Sequence, residues 1–291
     1  MHPRSFYVFP DVYTTCSVIS RKKAGFIGER QVCLQNSEIF EAVYQIGINY
    51  KGQRWELKGC NNDIGNIFQP LVNQWGYHPR DITLLTDEGN NPLPTRSNIL
   101  YEMHRLVSHA RAGDSMFVHF SGHGSQVRDA DGDEVDGYDE VIFPVDYQES
   151  GVIVDDEIHD ILVKPLPAGC RLTALFDSCH SGTVLDLPYI YQANGRLRSH
   201  TMNSQALAKY PKAHVVLFAG CSDLQGSGGI IRGGEFLGAM SAFYYLLILA
   251  ENSTQTYLQV LASVKDILRR TQKQTPQLSS SYPIVRQLHA A

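Results

Sequence analysis

Two periodicities alternate along this chain. Ala42 to Tyr50 is a β-rich apolar run that ends in turn residues, which predicts a strand. Ile64, Ile67, Phe68, Leu71, Val72 and Trp75 then recur in steps of three and one, the stripe of an amphipathic helix with Asn62 or Asp63 near its N-cap. Pro70 inside that stripe predicts a kink or an early end. Ile82–Leu85 predicts a short strand, and Ile99, Leu100, Met103, Leu106, Val107 and Ala110 a second helix. Strands follow at Ser115–Phe120 and Val141–Phe143, a helix with an acidic start at Asp155–Val163, and strands at Leu172–Phe176 and His214–Ala219. Two helices, about 236–250 and 255–272, complete the pattern. Alternating strands and helices predict a three-layer α/β/α sandwich around a mainly parallel central sheet.

The periodic part begins near residue 41. Residues 1–40 are irregular, with Pro3, Pro10 and the basic run Arg21-Lys22-Lys23, and are expected to form an arm that wraps or precedes the domain. Residues 192–212 are polar, carry Arg196, Arg198, Lys209 and Lys212, and are expected to form an exposed linker. The domain from 41 to 291 then divides into a larger region, 41–191, and a smaller one, 213–291.

Composition narrows the function. Hydrophobic residues are 43% and charged residues 19% of 291, so a sizeable core is expected and global disorder is not. A net charge of −5 argues against nucleic acid as the main partner. The N-terminus has no continuous apolar segment of the secretory kind. The apolar stretch 236–250 is shorter than the ~20 residues that span a bilayer, so no membrane partner is expected. The six cysteines, at 16, 33, 60, 170, 179 and 221, form no C-x-x-C pair. That weakens zinc and thioredoxin readings and favours free thiols in a reducing, cytosolic setting.

Two polar clusters stand where apolar strands stop, and ligands of open α/β sheets bind outside the carboxyl ends of the strands. The first, Ser121-Gly122-His123-Gly124, follows one strand, and the second, Asp177-Ser178-Cys179-His180-Ser181-Gly182, follows another. Glycines there let backbone amides approach a substrate closely. An ordinary thiol, with a pKa of ~8.5, is only a few per cent thiolate at neutral pH. A neighbouring imidazole favours the thiolate and can later protonate a leaving amine, so His123 and Cys179 are candidate partners in nucleophilic catalysis.

These residues resemble the two active-site signatures of the metacaspases, caspase-fold cysteine peptidases. The likeness runs from about Ala42 to the C-terminus and includes Gly47-Ile48-Asn49-Tyr50, Leu57-Lys58-Gly59-Cys60-Asn61-Asn62-Asp63, Asp136-Gly137-Tyr138-Asp139-Glu140 and Ala219-Gly220-Cys221-Ser222-Asp223. It implies a caspase-like fold, with His123 as general base and acid and Cys179 as nucleophile. It also implies oxyanion donors at the Gly124 and Cys179 amides. Protein or peptide substrates with Arg or Lys at the cleavage site are expected, held by Asp63 and Asp177 with Cys60 beside them. Read from its residues alone, Asp63 also fits a helix N-cap and Cys60 a small core position.

The resemblance further implies activation by Ca2+, with Asp139, Asp155, Asp156 and Asp186 as ligands. It implies a monomer; the free thiols point to a cytoplasmic, and also nuclear, location, and the Arg and Lys residues of the 192–212 linker, or Arg21, Lys22 and Lys23, match the expected specificity, so self-processing there is expected. The alternative is a non-catalytic, calcium-responsive scaffold or aggregate-binding module on the same fold. Asp129 to Glu140 imitates an EF-hand loop, but its sixth position is Glu134 rather than Gly and no helix pair flanks it, so it is expected to be an acidic loop. Gln225-Gly226-Ser227-Gly228-Gly229 departs from the family's Gln-Thr-Ser-Ala-Asp run, replacing a Thr and an acidic residue by glycines.

Overall fold

Apolar runs of seven residues build the centre of the molecule. The structure, a computed structural model, describes residues 41–73, 76–130, 132, 134, 137–192, 194–198, 211–220, 229–232, 235–238, 256–271 and 276–284. The elements in chain order begin with β1 (Glu41–Gly47), α1 (Cys60–Asn73), β2 (Ile82–Thr86), α2 (Arg96–Val107), β3 (Ser115–Ser121), β4 (Gly124–Arg128) and β5 (Tyr138–Ile142). They continue with α3 (Tyr147–Ser150), β6 (Ile153–Val154), α4 (Asp155–Ile158), β7 (Arg171–Asp177), β8 (Tyr189–Tyr191), β9 (Leu197–Arg198) and β10 (His214–Ala219). The last are β11 (Gly229–Arg232), β12 (Glu235–Gly238), α5 (Tyr257–Thr271) and β13 (Gln277–Ser280).

Among the described residues, the main sheet has eight strands in the order β2-β1-β3-β7-β10-β13-β8-β9. β2, β1, β3, β7 and β10 are parallel, and the β13, β8 and β9 edge is antiparallel. One face carries Tyr44, Ile46, Val118, Phe120 and Leu217 against Ile99 and Met103 of α2 and Ile158 and Leu162. The other carries Val43, Phe117, Leu175 and Phe218 against Ile67 and Leu71 of α1 and Val260, Leu261 and Val264 of α5. Strands buried on both faces read as continuous apolar runs, as parallel strands must. The expected three-layer α/β/α sandwich is the observed one.

Several expectations need correction. Pro70 does not end α1 where it stands: the helix runs on to Asn73, with Pro70 inside it. The first part of the expected 236–250 helix is instead strand β12, paired antiparallel with β11, and the remainder lies outside the described residues. The 192–212 linker contributes β9, which pairs with β8 at the sheet edge. Of the Asp129–Glu140 segment, Tyr138–Glu140 belong to β5, which pairs antiparallel with β4, and the Asp129 carboxylate accepts from the Gly132 and Glu134 amides. The 1–40 arm, residues 225–228 of the Gln225–Gly229 departure, and Cys16, Cys33 and Cys221 lie outside the described residues; Cys60, Cys170 and Cys179 are free thiols. Among the described residues, no helix is long and apolar enough to cross a membrane.

Candidate active site

The parallel register of β3 and β7 sets Ser121 beside Asp177. His123 and Cys179 each follow two residues later, so the two leave the same end of the sheet at the same height. Gly122 N–H donates to the Asp177 carbonyl at 3.5 Å, and Phe143 N–H to the His123 carbonyl at 3.2 Å. Gly124 lies directly on the nucleophile's turn: a Cβ built there would overlap the Cys179 carbonyl oxygen and press Ser178 Cβ and Oγ at 3.1 Å. The absence of a side chain at 124 is what lets the two motifs touch.

Two residues from the β1–α1 loop hold the imidazole. The buried Tyr50 hydroxyl donates to the Phe143 carbonyl at 2.6 Å and accepts from the His123 N–H at 3.0 Å, while its ring lies 4.6 Å from the imidazole, centre to centre. The Trp55 carbonyl lies 2.6 Å from His123 Nε2. A carbonyl oxygen only accepts, so Nε2 carries the proton and Nδ1 is the basic nitrogen. The loop itself is tied down: Asn49 Oδ1 accepts from Cys60 N–H at 3.0 Å, and Asp87 accepts from the Asn49 amide and the Asn61 side chain, each at 2.9 Å. Gly47 lets α1 approach, since a Cβ there would lie 2.8 Å from the Cys60 carbonyl.

Cys60, Asp63 and Asp177 are brought together on the α1 face of the sheet. All three are buried, Asp63 completely. Cys60 opens α1, so Asn62 and Asp63 lie within its first turn rather than before it. The Asp63 carboxylate accepts from Ser121 Oγ at 2.7 Å, a partner across 58 residues of sequence. Burial pushes the Cys60 thiol well above its ordinary range; the negative field of Asp63, and then of Asp177, adds to this, while the Ser121 hydroxyl opposes it. This region favours a cation.

The second acidic cluster lies on β5, α4 and the segment after Cys179. Carboxylate oxygens of Asp139, Asp155 and Asp156 all fall within 4.8 Å of one another, as do those of Glu134, Glu140 and Asp155. Burial, with Asp186 and then Glu140 nearby, pushes the Asp155 carboxyl up to about 11. So Asp186 shares the field of this cluster, together with Glu140 and Glu134, which the sequence reading left out. The Asp155 carboxylate accepts from the Glu140 and Asp156 amides at 2.7 and 2.9 Å. Hard oxygen donors of this number and charge suit a calcium ion. Glu140 accepts from Thr183 Oγ1 and, at 2.9 Å, from Gln126, so the cluster is joined to the segment that follows Cys179.

Among the described residues, three non-glycine residues adopt left-handed backbone: Tyr50, His180 and Asp186, with φ of 54°, 51° and 48°. Each conformation costs roughly 1–3 kcal/mol and persists only where its surroundings over-determine it. All three stand in this region, one beside His123, one after Cys179 and one at the acidic cluster.

A parallel sheet presenting a histidine and a cysteine at neighbouring strand ends defines a caspase-like α/β protein. The metacaspase, peptidase C14 domain model matches residues 42–188. Metacaspase-1 of Mycosarcoma maydis is 39% identical over 94% of this chain and 79% of its own length. Metacaspase-1 of Cryptococcus neoformans var. neoformans is 42% identical over 82% of this chain and 62% of its own, and Metacaspase-1B of Neurospora crassa 43% over 82% and 66%. The chain thus spans about three fifths to four fifths of the length of these curated relatives. A crystal structure of a Geobacter sulfurreducens protein matches with a TM-score of 0.58 at 22% identity, over 84% of this chain and 94% of that one, and shares the fold. The chain belongs to the metacaspase family of cysteine peptidases.

Proposed function

We propose that this protein is a calcium-activated cysteine endopeptidase that cleaves after Arg or Lys. The observation that carries the reading is the meeting of the two motifs: Gly124 lies against the Cys179 carbonyl, and His123 is held with Nε2 protonated and Nδ1 basic. Cys179 Sγ attacks the scissile carbonyl carbon while His123 Nδ1 takes the thiol proton. The amides of Gly124 and Cys179 stabilise the oxyanion. Collapse to the thioester expels the amine, which receives the proton from Nδ1, and water then hydrolyses the thioester.

The buried Asp63 and Asp177 carboxylates receive the guanidinium or ammonium of the residue before the scissile bond. Asp139, Asp155, Asp156 and Asp186 hold calcium, whose charge lets neighbouring carboxylates stay ionised together. Asp186 and the Glu140–Thr183 contact extend that order to the segment after the nucleophile. Self-processing fits Arg196 and Lys212, both exposed.

The test is hydrolysis of matched Arg, Lys and Asp reporter peptides across a calcium titration. Cleavage of the Arg and Lys peptides alone, dependent on calcium and lost in Cys179→Ala, is the expected result. A preference for Asp, equal activity in chelator, or activity that survives Cys179→Ala would overturn the reading. Calcium-driven structural change with no cleavage of any peptide would favour the non-catalytic alternative.

A further inference from the structure

The parallel register sets Thr86, the last residue of β2, beside Gly47, the last of β1. Asp87 therefore meets the chain just as it leaves β1. An aspartate after a strand ordinarily bonds its own turn, two residues on. This one reaches elsewhere. Asp87 Oδ1 accepts from the Asn49 N–H and from Asn61 Nδ2, both at 2.9 Å, and Oδ2 accepts from the Lys51 N–H at 3.3 Å. These partners lie 38, 26 and 36 positions away in sequence. They belong to the loop after β1 and to the first turn of α1.

One carboxylate thus takes the amides on either side of Tyr50. Tyr50 has φ of 54°, a conformation that persists only where its surroundings fix it, and Asp87 supplies that fixing. Burial raises the Tyr50 hydroxyl well above its ordinary pKa, and the negative field of Asp87 adds to this, so the hydroxyl keeps its proton for the Phe143 carbonyl while accepting from the His123 N–H. Asn49 is also the base of the loop. Its carbonyl accepts from the Leu57 N–H at 2.7 Å, and its Oδ1 accepts from the Cys60 N–H at 3.0 Å. Trp55, whose carbonyl lies 2.6 Å from His123 Nε2, stands in the span that these bonds close. Both groups that hold His123 therefore hang from a segment anchored on Asp87, and the tautomer of a histidine is set by the partner of its second nitrogen. We infer that Asp87 is a positioning residue for the proposed reaction: through the 48–59 loop it holds His123 with Nε2 protonated, which leaves Nδ1 to take the thiol proton. This inference rests on the peptidase reading above.

The experiment combines spectra and kinetics on the full chain. Isotope-labelled histidine is observed by nitrogen NMR at about pH 8, where an ordinary imidazole is neutral, and His123→Ala identifies the His123 signals. Wild type should show one tautomer, with the proton on Nε2. Asp87→Ala should show a mixture of the two, and should lower kcat on an Arg reporter with calcium about tenfold or more. Asp87→Glu keeps the charge but moves the oxygens by a methylene, so it should resemble Ala. Asp87→Asn keeps an oxygen for the two donors at 2.9 Å and should stay within about threefold of wild type. If Asp87→Ala does not melt cooperatively, the Glu variant carries the comparison. A merely structural role would lower the melting temperature and leave the tautomer and kcat as they are. An unchanged tautomer or an unchanged kcat in the folded variant would overturn the inference, as would an Asn variant as poor as Ala. Failure of the peptidase reading looks different: no Arg peptide is cut, or cutting survives Cys179→Ala, while the spectra still decide whether Asp87 sets the imidazole.

Discussion

Gly124→Ala is a one-methyl test of how the two motifs meet. The new Cβ would overlap the Cys179 carbonyl oxygen, closer than the 3.0 Å that real Cβ atoms keep, and would press Ser178 at 3.1 Å. Neither neighbour is the free end of a long side chain. Both belong to the turn that carries the proposed nucleophile, and Ser178 is buried. Restoring ordinary contact requires a shift of about 1 Å between that turn and β4. A displacement of that size at reacting groups costs roughly a hundredfold in rate, about 2.7 kcal/mol of barrier. Overpacking also costs about 1–3 kcal/mol of stability, which lowers the melting temperature without unfolding a domain of this size.

Steady-state kinetics on an Arg reporter, run beside thermal denaturation, separates the two effects. We expect kcat near one hundredth of wild type in a protein whose melting remains cooperative. Gly124→Ser should behave as badly or worse. Activity within threefold of wild type would refute the reasoning, because it would mean that the turn gives way without moving Sγ relative to the imidazole.

Three further outcomes follow from the same contacts. Tyr50→Phe keeps the ring on His123 but removes the hydroxyl, leaving the His123 N–H and the Phe143 carbonyl short of a partner. Kinetics should show kcat down about tenfold with KM little changed, and denaturation a loss of about 1–3 kcal/mol. Asp63→Asn keeps the shape of the pocket while removing its charge, and kcat/KM for Arg and Lys peptides should fall about a hundredfold. His119 is fully buried, and burial lowers its pKa from 6.5 to about 3, so it stays neutral in the fold while the unfolded chain takes a proton below 6.5. Its contribution is therefore full above pH 6.5 and is lost as pH falls toward 3, by about 2 kcal/mol at pH 5. His119→Gln should flatten the difference between guanidinium denaturation curves at pH 8 and pH 5 by that amount; parallel behaviour of the two proteins would count against the assignment.

What was legible in the sequence was whatever repeats along it. The strands β3, β7 and β10 are apolar runs that stop abruptly at polar turns, so their carboxyl ends are legible to within one residue, whereas β1 ends at Gly47, three residues before the expected Tyr50. Because parallel strands pair in register, that was enough to set His123 and Cys179 at matching heights. β4 has no apolar run at all; Gly124 to Arg128 becomes a strand by pairing with β5. β12 reads as a helix in the sequence because Phe236 and Leu237 continue into a long apolar stretch. Yet Gly233-Gly234 between two short runs is itself a two-residue hairpin signal, which agrees with the β11–β12 pairing.

The supports of the candidate site were not legible, and the reason is physical. Ser121 reaches Asp63 across 58 positions, Trp55 reaches His123 across 68, Tyr50 reaches His123 across 73 and Thr183 reaches Glu140 across 43. No local period encodes such pairs. Each joins two segments distant in sequence that the fold brings to the same end of the sheet, and each partner alone has an ordinary explanation in its own segment. The carboxylates are the middle case. Asp139, Asp155, Asp156 and Asp186 could be grouped through a resemblance, but only the fold reveals that Glu134 and Glu140 share their field. It also reveals that Glu140 joins this field to the loop behind Cys179. The reacting atoms stand on strand ends, which periodicity locates, whereas the groups that orient them stand on loops, which only the assembled sheet brings together.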